Sequence, residues 1–313
     1  MKKLLFPVVL LSVLISVTSQ KVSAQYYFYN KDYYDNPVTY ELGASLGMMN
    51  CLTDLGGKKG IGKKFIKDLN YGNAQFSGGG YLSVTYKNAF AVRVEGTFGT
   101  VNAYDSILKD VKNTVFGRYE RNLSFQSTIS EISFTTEIHP LFIFINWADR
   151  EQEPPAYSPY LISGIGYYSF NPQAKLNNTW VDLQPLSTEG QGFKEYPDRK
   201  PYKLKQTNIP VGVGLRYELS PLFTIRAELV YRILQTDYLD DVSSKDYIDA
   251  NLFSNYFTGT KLTNALLLQD RRYELDPNYI HTTEERGNPN NKDGFFTLNV
   301  KLGLTFGRQR IRK

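Results

Sequence analysis

Two histidines, His139 and His281, are the natural places to look for catalysis in this chain of 313 residues. A hydrolytic site needs a nucleophile, a base and an orienting acid within hydrogen-bond reach of one another. Asp240 and Asp241 share a long polar segment with His281, and an acid pair beside a His would suit a protease. His139 stands before Pro140, where a strand should end or bend. Nothing in the order of residues brings either His to a nucleophile. Loop polarity and turn formation account for both, and the chain reads as non-enzymatic.

Other chemistry is weaker still. Gly57-Lys58-Lys59-Gly60-Ile61-Gly62-Lys63-Lys64 approaches a phosphate-binding loop. Lys64 stands where that motif needs a Ser or Thr to hold magnesium, and the strand-to-helix setting is missing. A flexible basic loop, able to touch lipopolysaccharide phosphates, accounts for it. The cluster Asp237-Tyr238-Leu239-Asp240-Asp241 offers carboxylates for calcium but lacks the spacing of a calcium loop, so a solvated acidic turn is expected. Cys51 is the single cysteine, which excludes an internal disulfide. No cofactor, metal or small-molecule substrate is implied.

The elements that would position these residues are strands. From Phe295 to Gly307, Phe296, Leu298, Val300, Leu302, Leu304 and Phe306 alternate with Thr297, Asn299, Lys301, Gly303 and Thr305. Strict period-two alternation means a strand with one apolar face. Its length matches a tilted strand crossing a bilayer, roughly 9–11 residues. The same pattern recurs from Val38, Leu82, Phe90, Ile132, Ile209 and Phe223. Tyr160–Phe170 is an eighth strand whose faces are ambiguous, because Gly164 and Gly166 interrupt it. Leu141–Trp147 is apolar without alternation.

The connections alternate short and long. Lys87-Asn88 and Ser220-Pro221 are tight turns, and the connection after His139 is intermediate. Long segments run through 52–73, 102–122, 171–206 and 237–293. That asymmetry marks an outer-membrane barrel, with short periplasmic turns and long external loops. The predicted fold is all-β: an eight-stranded antiparallel transmembrane β-barrel with a closed lumen. A soluble, lipocalin-like barrel is the competing reading, with the apolar faces turned inward.

Residues 1–24 read as a cleaved signal peptide, with Lys2 and Lys3 before the apolar run Leu4–Val17. Residues 25–36 form a Tyr-rich periplasmic leader, 37–307 the barrel with its extracellular loops, and 308–313 a basic periplasmic tail. The net charge of +5 is slight, and no basic domain suggests nucleic acid. The expected location is the outer membrane, with its lipid as a partner.

The inward faces carry Glu41, Glu95, Glu131, Glu137, Glu218 and Glu228 against Arg93, Arg216, Arg226, Arg232 and Lys301. An eight-stranded barrel is just wide enough for side chains to fill. Charges confined there must pair, because an unpaired buried charge costs several kcal/mol. The expectation is a lumenal charge network that seals the barrel, in preference to a pore or proton path. Function then belongs to the loops, the periplasmic ends or the partners.

Several stretches carry a family resemblance. They are Leu52-Thr53-Asp54-Leu55-Gly56-Gly57, Arg121-Asn122-Leu123-Ser124-Phe125, Trp180–Leu186 running into Thr188-Glu189-Gly190-Gln191-Gly192, Asp237–Ser243, and Arg286-Gly287-Asn288. In their order along one barrel, from about Pro37 to Phe306, they resemble the PorG family of outer-membrane barrels of the Bacteroidetes. The resemblance implies a part in the type IX secretion system, which exports cargo and supports gliding motility. It also implies anchoring of the periplasmic PorK–PorN ring to the outer membrane, with no catalytic residues. Periplasmic partners would meet Gln25–Asn36, Leu141–Pro155 and Arg308–Lys313. The alternative function is a surface adhesin, or a lipopolysaccharide-binding barrel, acting through its long loops.

Overall fold

A computed structural model of the chain describes residues 36–55, 57, 70–111, 116–145, 155–276, 278, 285–290 and 292–307. The leader, the tail, His281 and most of the Gly57–Lys64 segment lie outside the described residues.

Eight long strands close on themselves. They are β1 (Val38–Leu52), β2 (Gln75–Tyr86), β3 (Phe90–Tyr104), β4 (Ser124–Ile138), β5 (Tyr157–Ser169), β8 (Lys205–Glu218), β9 (Phe223–Leu234) and β10 (Gly294–Phe306). Each pairs antiparallel with its neighbours in chain order, and β1 pairs with β10 to complete the cylinder. The two remaining strands, β6 (Pro172–Leu176) and β7 (Thr179–Asp182), form a hairpin above the barrel wall. Its tight turn uses Asn177 and Asn178, both at positive φ, where Asn is tolerated better than most residues.

The sidedness of the wall decides between membrane and soluble barrel. Leu46, Leu82, Phe134, Leu161, Val213, Leu229 and Leu298 are exposed around the outside, while Arg93, Arg216, Arg226 and Glu228 are buried within. An outer surface this apolar, with Thr136 and Ser163 as polar positions within it, suits hydrocarbon, where the closed ladder satisfies the backbone polar groups. Aromatic side chains ring its two edges. Tyr40, Tyr86, Phe90, Tyr157, Tyr217 and Phe306 stand at the short-turn end, with Phe76, Phe98 and Tyr167 toward the other. Eight residue steps separate Tyr40 from Met48, or Phe90 from Phe98. At a tilt of roughly 40° that spans about 20 Å, close to the height of an outer-membrane apolar band. Among the described residues no helix is long and apolar enough to cross a membrane.

The strand whose faces were ambiguous is settled by its register. Tyr160, Ile162, Gly164, Gly166 and Tyr168 face inward, and Leu161, Ile165 and Tyr167 outward. The glycines lie where a side chain has no room. A Cβ on Gly164 would stand 2.1 Å from the Phe134 carbonyl, and one on Gly166 would meet Asn208 and Glu131. Leu141–Trp147, which lacks alternation, begins as the short helix α2 (Pro140–Phe144), following α1 (Phe116–Arg121) in chain order. Pro140 at its first turn fits, because the N–H it lacks would have no helical acceptor there.

The expected long loops are built rather than open. They contain the β6–β7 hairpin, 3-10 turns and helix α3 (Gly259–Gln269). Leu55, Leu186, Val242 and Phe253 from three of them share one buried cluster with Phe125 and Phe170 at the top of the wall. β3 and β4 continue into this cap, pairing as far as Tyr104 and Ser124.

Substitution Gly164→Ala is expected to destabilise the barrel by about 1–3 kcal/mol through overpacking. Gly96→Ala, where nothing lies within 4 Å of the added carbon, should be neutral. The fraction migrating as heat-modifiable folded barrel on a gel separates the two.

Candidate functional site: a filled lumen beneath a folded cap

The lumen residues come from alternate positions of facing strands, which stack them into levels. Arg226 of β9 donates from Nε and Nη2 to both oxygens of Glu41 on β1, at 2.8 Å each, and from Nη1 to Glu137 Oε2 at 2.7 Å. One level up, Arg93 of β3 grips Glu228 with two nitrogens at 2.5 and 3.1 Å. It also lies 2.8 Å from Glu137 and 3.2 Å from Glu95. Lys301 of β10 donates to Glu95 at 2.5 Å and lies 2.8 Å from Glu228. Toward the cap, Arg232 donates to Glu131 at 3.0 Å and to Thr297. At the opposite end Arg216 pairs with Glu218 at 3.1 Å.

Two tyrosines knit the levels together. Tyr81 donates to Glu41 at 2.5 Å, and the cationic groups of Arg93, Arg226 and Lys301 lie 5.2–5.7 Å from its ring centre. Such contacts attract a cation removed from water to the face of the ring. Tyr160 donates to Glu228 at 2.5 Å. A void lined by Arg93, Glu95, Glu228 and Lys301 has a volume near 10 Å³, room for about one water molecule. The interior is a salt-bridged core.

His139 occupies the short-turn end of this core. Its Nδ1 lies 2.9 Å from Ser158 Oγ and its Nε2 3.4 Å from Glu137 Oε2, with the ring stacked on Tyr160. In composition this matches a serine, histidine and acid relay. Its surroundings do not, since His139 and Ser158 are both buried and the Glu137 oxygen it faces also accepts from Arg226. A nucleophile must reach a reacting atom, and Ser158 points into packed side chains. Nothing in the residue spacing marks Ser158, whose partner lies across the β4–β5 connection.

The second constellation is in the cap, and it joins the stretches that carry the family resemblance. Arg121 grips Asp105 with two nitrogens at 2.8 and 2.9 Å and donates to the carbonyls of Asp54 and Arg286. Arg286 pairs with Glu189 and donates to Thr188 Oγ1 and the Asp241 carbonyl. Glu189 accepts from the Ser243 and Ser244 amides at 3.0 and 2.9 Å. Asp241, at positive φ, accepts from Thr188 at 2.5 Å and Tyr202 at 2.6 Å. Asp54 accepts from the Asn288 amide at 2.5 Å, and Asp240 from those of Leu55 and Val242.

This corrects the expectation of a solvated acidic turn. Asp240 and Asp241 are buried, because backbone amides and hydroxyls replace the water they lose. The partners Leu55, Thr188 and Tyr202 lie 185, 53 and 39 residues away, and spacing arguments do not see them. Among the described residues no group of three or more His, Cys, Asp or Glu is arranged to hold a metal ion.

Burial raises the affinity of these acids for protons. It pushes Asp237 up to about 7, with Asp54 and Glu189 adding repulsion. Asp241 goes up to about 6 by burial, against the pull of Arg286, Thr188 and Tyr202. Asp240 is raised by burial and by the charges of Asp54 and Asp237, and Asp293 by burial and by the charges of Asp240 and Asp237. Each folded value exceeds the ordinary carboxylate value near 3.8. The folded cap therefore holds protons that the open cap releases, and this stabilisation is lost as pH rises through about 6 and then 7. Hydrogen exchange at the Leu239 and Val242 amides, corrected for intrinsic rate, should show a tighter cap at pH 5.5 than at pH 8. In the lumen, Glu228→Ala leaves Arg93 and Lys301 short of a carboxylate and should cost about 3–5 kcal/mol. A fall in the denaturant midpoint of reconstituted barrel checks it.

No family model matches the chain, and no curated protein matches it. Solved structures with a similar course are outer-membrane barrels. One is the N-terminal β-barrel domain of Pseudomonas aeruginosa OprF, at 9% identity and a TM-score of 0.32, covering 87% of this chain and 98% of that one. A second is OprG of the same organism, at 8% identity and 0.37, covering 87% and 97%. A third is Ail, the attachment invasion locus protein of Yersinia pestis, in complex with the heparin analogue sucrose octasulfate. It is 11% identical with a TM-score of 0.33, covering 86% of this chain and 97% of that one.

Proposed function

We propose that this chain is a non-enzymatic outer-membrane barrel that anchors a protein secretion complex from its periplasmic face, in the manner of PorG-like components of type IX secretion. The cap faces outward and the short turns face the periplasm, as in other barrels with this loop asymmetry. A filled lumen leaves the two ends of the cylinder as the surfaces on which work can be done.

The observation that carries the reading lies at the short-turn end. Helix α2 presents Phe144, 84% exposed, and Ile143 beside it. An exposed aromatic flanked by aliphatics is the kind of anchor that protein interfaces bury at their centre. It falls within the Leu141–Pro155 connection, one of the segments named above for contact with PorK/PorN-like ring proteins. A surface adhesin is the second reading, favoured by the cap's being a folded unit with its own core.

Pull-down from solubilised membranes tests the anchoring. An Ile143→Asp/Phe144→Asp variant that still folds by heat-modifiability should recover roughly tenfold less of the ring proteins, in line with loss of one or two central apolar anchors. Secreted cargo should fall in parallel. Undiminished recovery of the ring proteins would refute anchoring through α2.

A further inference from the structure

We propose that the outer end of the β5–β8 stave binds the phosphate of a phosphorylated glycolipid in the outer leaflet. The starting point is the outward column of β8. From the short-turn end it reads Tyr217, Leu215, Val213, Val211, Ile209, Thr207 and Lys205. Lys203 continues it in the chain entering the strand. The facing column on β5 places Ile165 and Tyr167, both more than half exposed, with Tyr167 opposite Thr207 and Ser169 opposite Lys205. Hydrocarbon-facing surface therefore passes into an aromatic, then hydroxyls, then two cations within a few residue steps.

The lysines are held outward by what lies between them. Tyr202 is buried, donating to Asp241 and stacked on Tyr238 at 4.8 Å. The Leu204 carbonyl accepts from the Phe170 amide at 2.9 Å, and that of Lys203 from Gln206 at 2.9 Å. With Tyr202 and Leu204 committed inward, Lys203 and Lys205 face outward, roughly 7 Å apart by strand geometry. Both are exposed, and neither makes an ion pair with a described residue. At the same height the outward positions of β3 and β4 are uncharged: Thr100 and Asn102, Gln126, Thr128 and Ser130. The outward faces of β3 and β4 thus carry no such charge at this height, while Lys175 on β6 and Lys292 before β10 are further exposed cations toward the cap.

The occupant follows from position and charge. The site is continuous with the lipid-facing band, so its ligand has acyl chains to lie on Ile165, Ile209 and Val213. Its headgroup must be anionic at the level where the band ends, and one phosphate fits between two ammonium groups two residues apart. Lysines near a charged membrane surface each contribute a several-fold gain in affinity. The assignment uses the outward orientation of the cap given above. Labelling of a Lys261→Cys variant on intact cells with an impermeant maleimide tests that orientation separately.

The experiment reconstitutes the full chain in phosphatidylcholine bilayers doped with bisphosphorylated lipid A, dephosphorylated lipid A or phosphatidylglycerol. Lipid retained after detergent release is counted by native mass spectrometry. The wild-type chain should retain bisphosphorylated lipid A, and Lys203→Ala/Lys205→Ala roughly tenfold less. Lys245→Ala/Lys261→Ala, which removes the same charge from the cap, should match the wild type. Wild-type retention by the first double variant overturns the proposal. So does equal retention of dephosphorylated lipid A or of phosphatidylglycerol by the wild-type chain.

Discussion

A charge confined in a cylinder eight strands wide has no water to fall back on, and the rest of this molecule follows from that. Arg93, Arg226, Arg232 and Lys301 each find a carboxylate on another strand, while Arg216 pairs with Glu218 of its own, and the register must bring partners to the same level. Arg93 shows how tightly the condition binds. It contacts Glu228, Glu137 and Glu95 at once, so a one-residue slip of β3, β4 or β9 would break several contacts together. The same slip would turn charges toward lipid. Inner pairing and outer greasiness therefore enforce a single register.

The cap obeys the same rule by other means. Above the membrane there is no alternation to set partners opposite one another. Buried acids instead find backbone amides at turns and guanidinium groups from distant loops. Arg121 and Arg286 act as the central fasteners, each joining side chains and carbonyls of separate segments. Glycine serves this packing as well. Gly287 stands where a Cβ would meet Val242 and Asp54.

What could be read from the chain beforehand follows this division. Strand faces were legible wherever apolar and polar residues alternate, because period two is a local property. β5 resisted because Gly164 and Gly166 carry no side chain to mark a face; their placement depends on Phe134 and Asn208 in neighbouring strands. The inward charges were legible as a set, but not who pairs with whom, since that depends on register and strand tilt. The cap was not legible. Asp240 and Asp241 look like surface acids until Leu55, Thr188 and Tyr202 are seen to hold them. The short helix at Pro140 was also missed, because five apolar residues in a row carry no usable period.

The fastening of the cap has a consequence for how the molecule is made. Asp54 bonds to Asn288 across 234 positions of chain, and Arg121 to Arg286 across 165. These partners are brought within reach only when the wall between them has closed. The bonds that join the four connecting segments to one another therefore form after those segments have crossed the bilayer. The head of the molecule is assembled last, outside, from parts that arrive separately.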